Sequence, residues 1–236
     1  ESIDSTQKLA KELANNDAEE GTLVVADEQT SGRGRLARQW SSPKGKGVWM
    51  SLVVKPNIPL IQAPQLTLLT AVAVAQAIEE VIEVKPQIKW PNDILLDGKK
   101  VTGILTEMQA ESDRIHSIII GIGINVNQSE NDFLDELREI ATSLCIQTGQ
   151  VQSREQVLNA VLTKLERLYE VYCSEGFTPI KVLWESYAIS VGKIITATTP
   201  QQKIVGEALG ITDQGVLLMR DAQNVIHSIY SADIEL

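Results

Sequence analysis

After Tyr187 the 236-residue chain changes texture, and no other feature limits its fold so strongly. Gly192 to Thr199, Lys203 to Gly210, Val216 to Met219 and Val225 to Tyr230 are short β-rich runs. Pro200, Asp213-Gln214-Gly215 and Asp221-Ala222 separate them. Runs of this length and spacing predict a small antiparallel barrel of roughly 45 residues. Before Tyr187, helical and strand patterns are mixed. Asp4, Ser5 and Thr6 are N-cap types, and Leu9, Ala10, Leu13 and Ala14 follow at helical spacing, which predicts a helix over 6–15. Thr22 to Ala26 reads as a buried strand, Val48 to Val54 as another, and Gln65 to Val84 as a core helix. Ile88 to Trp90 is a short strand entering a turn, and Ile94 to Leu96, the Asp97-Gly98 turn and Val101 to Met108 form a hairpin pattern. Ile115 to Ile124 is a further strand. Ser153 and Gln156 form a capping-box pair ahead of the stripe Val157, Val161, Leu165, Leu168 and Tyr172, which ends near Gly176. The expected architecture is an α+β domain over 1–187 followed by a small all-β domain over 188–236.

Composition excludes some functions. No run approaches the roughly 18 apolar residues of a membrane span. The apolar stretch from Ile58 to Ile82 is broken by Pro59, Gln62, Pro64, Gln65 and Gln76, and reads as a loop before a packed helix. The first residues carry no export-signal pattern, and Cys145 and Cys173 lie outside metal-ligand spacing, so a reducing cytoplasm is expected. A net charge of −10 argues against broad nucleic-acid binding. From Gln29 to Ile78, however, there is no Asp or Glu, while Arg33, Arg35, Arg38, Lys44, Lys46 and Lys55 all fall there. A positive island in an acidic chain points to a small anionic ligand, with phosphate the prime candidate.

Four segments have the residues for chemistry. In Thr30 to Trp40, Gly32 and Gly34 let backbone N–H groups converge on an anion, and Arg33, Arg35 and Arg38 each offer a planar fork. Trp40 could cover a planar ring. The loop lacks the Gly-Lys-Ser/Thr of a Walker A motif and opens no convincing helix; a solvated basic loop is the plainer alternative. In Lys89-Trp90-Pro91-Asn92-Asp93, Asn92 and Asp93 could hold Mg²⁺, position phosphate, accept a proton, or simply satisfy their own turn. In Asp97 to Leu105, strand alternation puts Lys100 and Thr102 on one face, with Val101 and Gly103 on the other. Lys100 could there reach a carboxylate and a phosphate together, or lie in solvent. Glycines inside the strand at Gly121 and Gly123 signal either a bulge or a close approach, and Asn125 ends that strand with both donor and acceptor capacity.

In order, Ser5-Thr6, Gln29 to Arg35, Arg38-Gln39-Trp40, Lys89 to Asp93, Lys100 to Leu105 and Gly121 to Val126 resemble the biotin protein ligase family, also called biotin–[acetyl-CoA-carboxylase] ligases. The resemblance spans about Ser5 to Asn127, and the C-terminal runs fit the family's small Src-homology-3-like barrel. It implies a mixed β-sheet flanked by helices, as in class II aminoacyl-tRNA synthetases. It also implies a reaction in which biotin and ATP form biotinoyl-5′-AMP and the biotin passes to a lysine of a biotin carboxyl carrier protein domain. Carried over by motif, Ser5, Thr6, Gln7, Gln29, Gly32, Arg33, Gly34, Arg35, Lys100 and Gly103 contact biotin. Arg35, Arg38, Trp40, Asn92, Lys100 and Asn125 serve ATP and the adenylate. Lys100, Arg35 and Asp93 are the catalytic candidates, with Asp93 also the candidate for Mg²⁺. Family members often form homodimers through the central sheet. Some carry an N-terminal DNA-binding domain. Only four residues precede Ser5, so the expectation is a monofunctional form or a shortened chain without a nucleic-acid partner. Two rivals stay open: a lipoate or octanoate ligase of the same superfamily, whose usual Arg-Arg-X-Ser-Gly-Gly-Gly loop is not matched here, and the effector half of a biotin-operon repressor.

Overall fold

The computed structural model describes residues 1–112 and 114–236. β1 (Ser2–Ile3) leads into α1 (Thr6–Asn15), which begins and ends where its N-cap and apolar spacing predict. β2 (Leu23–Ala26) and β3 (Glu28–Gln29) follow, then β4 (Gly47–Val54) and α2 (Pro64–Ile82). The next four strands are β5 (Gln87–Lys89), β6 (Asp93–Leu96), β7 (Lys99–Glu111) and β8 (Arg114–Asn125). Three helices come next: α3 (Leu144–Thr148), α4 (Arg154–Glu175) and α5 (Thr178–Tyr187). The chain closes with β9 (Ile194–Thr198), β10 (Lys203–Ile211), β11 (Leu217–Arg220), β12 (Ile226–Ile229) and β13 (Asp233–Glu235).

The larger sheet runs β2-β4-β8-β7-β6-β5, and each of these pairings is antiparallel. Parallel pairing occurs at its margins, in β1 with β3 and in single bridges from Ile88 to Ala188 and Lys100 to Ala141. The expected mixed β structure is therefore present, with its parallel part peripheral. Alternation along β8 divides the two faces. Ile118, Ile120, Ile122 and Ile124 point into the core under α2, α4 and α5, while Ile119 packs with Ala10 and Ala14 of α1 on the opposite face. Beyond Ile119 on that second face come Gly121, against which Gln7 of α1 packs, then Gly123 and Asn125, where the sheet is left uncovered by α1. The helix α2 is long and apolar enough to cross a membrane by length and composition, but it lies between the sheet and α4 with most of its length buried. The residues of α4 that are buried are the stripe Val157, Val161, Leu165, Leu168 and Tyr172, and Ser153 caps the helix by accepting from Gln156 N.

Two elements differ from expectation, and β1, β3, α3 and α5 lie in segments where no element was expected. β2 is an edge strand paired only to β4, so Val25 is half exposed and the strand is not buried on both faces. The C-terminal sheet has five antiparallel strands, in the order β12-β11-β10-β9-β13; the last, Asp233–Glu235, is too short for its pattern to stand out. The apolar face of this sheet, including Ile195, Ala197, Ala208, Leu217 and Met219, joins the core formed by α2 and the larger sheet. Hydrogen bonds cross the junction from Trp90 Nε1 to the Gly215 carbonyl (3.2 Å) and from Gln65 Nε2 to the Asp213 carbonyl (2.6 Å), and Gln65 Oε1 accepts from Tyr172 Oη of α4 (2.5 Å).

Candidate active site

The open part of the larger sheet floors a cavity of about 570 Å³, walled by the N-terminus of α1, the loop before β4, the segment after β8 and the C-terminal edge at Asp233. At its inner end, one polar network joins residues far apart in sequence. Thr6 donates to Gln29 Oε1 from both its backbone N (2.8 Å) and its hydroxyl (3.0 Å). Gln29 Nε2 donates to Ser42 Oγ at 2.8 Å. Gln7 Nε2 donates to the Ile119 carbonyl at 3.2 Å. Ser51 Oγ lies 2.9 Å from Thr6 Oγ1 and 3.0 Å from Gln7 Oε1, and its single proton serves one of them at a time. Ser5 caps α1 by accepting from Lys8 N. Three expected residues, Thr6, Gln7 and Gln29, thus meet here beside Ser5, held by Ser42 and Ser51, which the sequence reading missed.

The glycine and arginine loop is a compact hairpin rather than a solvated coil. Trp40 N donates to the Gly32 carbonyl (3.0 Å), Gly34 N donates to the Arg38 carbonyl (2.8 Å), and Arg33 bridges Gln39. A Cβ on Gly32 would run into the Trp40 carbonyl and lie 2.8 Å from Ser42 Oγ, so a glycine is required there for packing. The turn is made by Leu36 and Ala37, both left-handed at φ 54° and 59°. Arg35 points inward from it, donating to Asn92 Oδ1 at 2.9 Å and Ser231 Oγ at 3.1 Å. Burial pushes its pKa down, with Asp93 and Asp233 opposing, and a guanidinium remains charged through such a shift. Arg38 departs from its expected place facing free phosphate: its fork grips Asp233, with contacts of 2.5 and 3.4 Å.

Lys100 faces the cavity as expected, but by a different route. Leu95 pairs with Lys100 and Ile94 pairs with Thr102, so Val101 is an extra residue, a β-bulge. The bulge reverses the alternation. Lys100 and Gly103 therefore share the cavity face, while Thr102 is fully buried and does not line the cavity. The Lys100 ammonium lies 2.7 Å from Asp93 Oδ1 and 5.2 Å from the centre of the Trp40 ring. The contact to Asp93 is an ion pair without hydrogen-bond alignment, and that buried oxygen has no other donor. A dication at Asp93 would meet the ammonium at once. Among the described residues no group of three or more His, Cys, Asp or Glu could hold a metal. The expected Mg²⁺ role of Asp93 does not fit this geometry, which instead makes Asp93 the counter-ion of Lys100.

Asn92 and Asn125 are buried and line the cavity, each already engaged. Asn92 Nδ2 donates to the Ile104 carbonyl (2.9 Å), and its oxygen accepts from Arg35. Asn125 Nδ2 donates to the Thr142 carbonyl (3.0 Å), and its oxygen accepts from Gln128 (2.9 Å). The pairing of β8 with β4 is regular from Ile118 to Asn125, so Gly121 and Gly123 mark no bulge. Close approach is the reason for both. A Cβ on Gly121 would collide with Gln7 Oε1, and one on Gly123 would lie 2.7 Å from Trp40 Cε2. The side chains lining the cavity include five cations (Arg33, Arg35, Arg38, Lys89 and Lys100) against three carboxylates (Asp93, Asp132 and Asp233), an excess that suits an anion.

Residues 1–125 match the Biotin/lipoate A/B protein ligase family, and residues 191–236 match the Biotin protein ligase C terminal domain. The chain belongs to the biotin/lipoate protein ligases. Similar proteins in the family include the "Bifunctional ligase/repressor BirA" of Bacillus subtilis, 59% identical over 99% of this chain and 72% of the relative. The "Biotin--[acetyl-CoA-carboxylase] ligase" of Paracoccus denitrificans is 31% identical over 92% of this chain and 91% of its own length. Among solved structures, the biotin protein ligase of Aquifex aeolicus in complex with biotin and ATP aligns with a TM-score of 0.85 at 33% identity, covering 100% of this chain and 96% of that one. The architecture expected from the motifs, a biotin ligase-like α+β unit with a small C-terminal β unit, is the one observed.

Proposed function

We propose that this ligase joins biotin to ATP as biotinoyl-5′-AMP and then transfers the biotin to a lysine of a biotin carboxyl carrier protein domain. The observation that carries the reading is Lys100. Its ammonium stands where the polar wall meets the bare glycine floor, beside Asp93 and Trp40. A carboxylate entering over the floor and an α-phosphate entering from the arginine side would both come within its reach. In the first step the carboxylate oxygen attacks the α-phosphorus, the bond to the β-phosphate oxygen breaks, and pyrophosphate leaves. Negative charge builds on oxygens in that step, and a fixed ammonium in a partly water-excluded site stabilises it. In the second step the neutral acceptor amine attacks the acyl carbon, AMP leaves, and the amine loses its proton.

On this reading the network of Thr6, Gln7, Gln29 and Ser51, with Ser5 beside it, receives biotin's polar ring, with Gly32, Arg33 and Gly34 over it and Gly103 at the edge of the Trp40 indole beside the chain. Arg35, Asn92, Trp40 and Asn125 surround the adenylate. Arg38 has to exchange Asp233 for phosphate to take part. Asp93 holds Lys100 in position, and Mg²⁺ enters with the nucleotide's own phosphates rather than on a protein site. The residues to 187 make up the catalytic domain and those from 188 the small one.

Relatives named as biotin ligases support this choice of acid, as does the absence of the usual lipoate-type loop from the hairpin. The deciding experiment is ATP–pyrophosphate exchange measured with biotin and, separately, with lipoate. Exchange with biotin alone is expected. Exchange driven by lipoate and not by biotin would reverse the assignment within the same family.

A further inference from the structure

The indole of Trp40 lies on the sheet directly over the cross-strand pair Gly103 and Gly123. A Cβ on Gly123 would stand 2.7 Å from Cε2 and 3.0 Å from Cδ1 of the ring, and closer still to Nε1. A Cβ on Gly103 would meet Cζ3 at 3.0 Å, and Lys100 Cε and Nζ at 3.3 and 3.4 Å. The ring is rigid, so it cannot yield as the end of a flexible chain would. Its buried Nε1 has no hydrogen-bond partner, so no polar contact explains the position. Trp40 N is bonded to the Gly32 carbonyl, so the seat of the indole also fixes the base of the hairpin that carries Arg33, Arg35 and Arg38.

We propose that Gly123, assisted by Gly103, is a positioning residue: the bare floor seats the Trp40 indole and thereby sets the hairpin and the Lys100 ammonium over the cavity. The inference rests on the assignment of this cavity to biotin and ATP. Neither glycine needs to touch a substrate to play this part.

The test is a double-mutant cycle between Gly123→Ala and Trp40→Ala, with KM for biotin and ATP and kcat of exchange as kinetic readouts. Gly123→Ala alone is expected to raise KM by about tenfold or more, the cost of one displaced aromatic wall. In the Trp40→Ala background the same change should cost less than about twofold, because nothing is left to displace. Trp49, Trp90 and Trp184 are buried, so Trp40 dominates quenching of tryptophan fluorescence by acrylamide. That quenching should rise in Gly123→Ala without substrate, a readout independent of the reaction assignment. If Gly123→Ala folds poorly, Trp40→Leu in the same chain should restore the fold by relieving the collision. Equal losses from Gly123→Ala with and without Trp40 would overturn the proposal, as would unchanged quenching in a folded Gly123→Ala protein. Raised quenching in a chain with no biotin-dependent exchange would keep the seat and reject the substrate reading.

Discussion

At the scale of single residues, the site pairs its cations with carboxylates, Lys100 with Asp93 and Arg38 with Asp233. The Lys100 and Asp93 side chains are each partly exposed, so their pairing fixes geometry more than it adds stability. Lys100→Ala is expected to leave the thermal midpoint within a few degrees of wild type and to lower biotin-dependent exchange by about 100-fold or more, the range for a lost electrostatic stabiliser. Exchange at the wild-type rate would remove Lys100 from the chemistry. Lys100, Arg35 and the glycines were legible in the sequence because each lies in a short motif whose residues act together. Ser51 and Ser231 were not. Each is an unremarkable serine in its own segment, and only the folded chain brings Ser51 to Thr6 and Ser231 to Arg35.

At the scale of elements, period-2 and period-3.6 patterns gave the long strands and the helices α1, α2 and α4, but not α3, α5 or the two- and three-residue strands β1, β3 and β13. The stripe of α4 was readable because one face alone meets the core. The grouping of Lys100 with Thr102 rather than Gly103 was wrong because a single bulged residue, Val101, inverts strand alternation and leaves no mark in composition. The segment after β8, which has short 3₁₀ turns and no periodic pattern, was also illegible, although it forms a wall of the cavity. Asp132 pins that wall. Its carboxylate accepts from Lys46 (2.9 Å) and from the backbone and side chain of Ser129, which holds its pKa at about 2, below the usual 3.8. Since the folded pKa is the lower one, the stability it contributes is complete above the unfolded value and is lost as pH falls from there through about 2. Asp132→Ala is therefore expected to melt below wild type at pH 6, and the gap between the two should close as pH falls through that window. A gap that stays constant down to pH 2 would show that the carboxylate's charge is not what holds the wall.

At the scale of the whole molecule, the C-terminal sheet shares the main core and reaches the hairpin through two side chains. Ser231 accepts from Arg35, and Asp233 pairs with Arg38 across 195 residues of sequence. The texture change at Tyr187 announced a separate β unit; nothing in it announced that this unit would border the cavity. Asp233 competes with any phosphate for Arg38, and the pair is exposed enough to exchange readily. Asp233→Asn is expected to speed tryptic cleavage after Arg35 and Arg38 by about two- to fivefold in ligand-free protein, the scale of a lost surface pair. Biotin with ATP should restore protection. Unchanged cleavage would show that Asp233 does not restrain the hairpin.

The bonds from Arg35 and Arg38 to Ser231 and Asp233 also bear on synthesis of the protein. The hairpin and the sheet floor are translated long before Ser231 and Asp233, which complete this wall. A nascent chain can build most of the cavity and still leave its arginines untethered until Asp233 has cleared the exit tunnel.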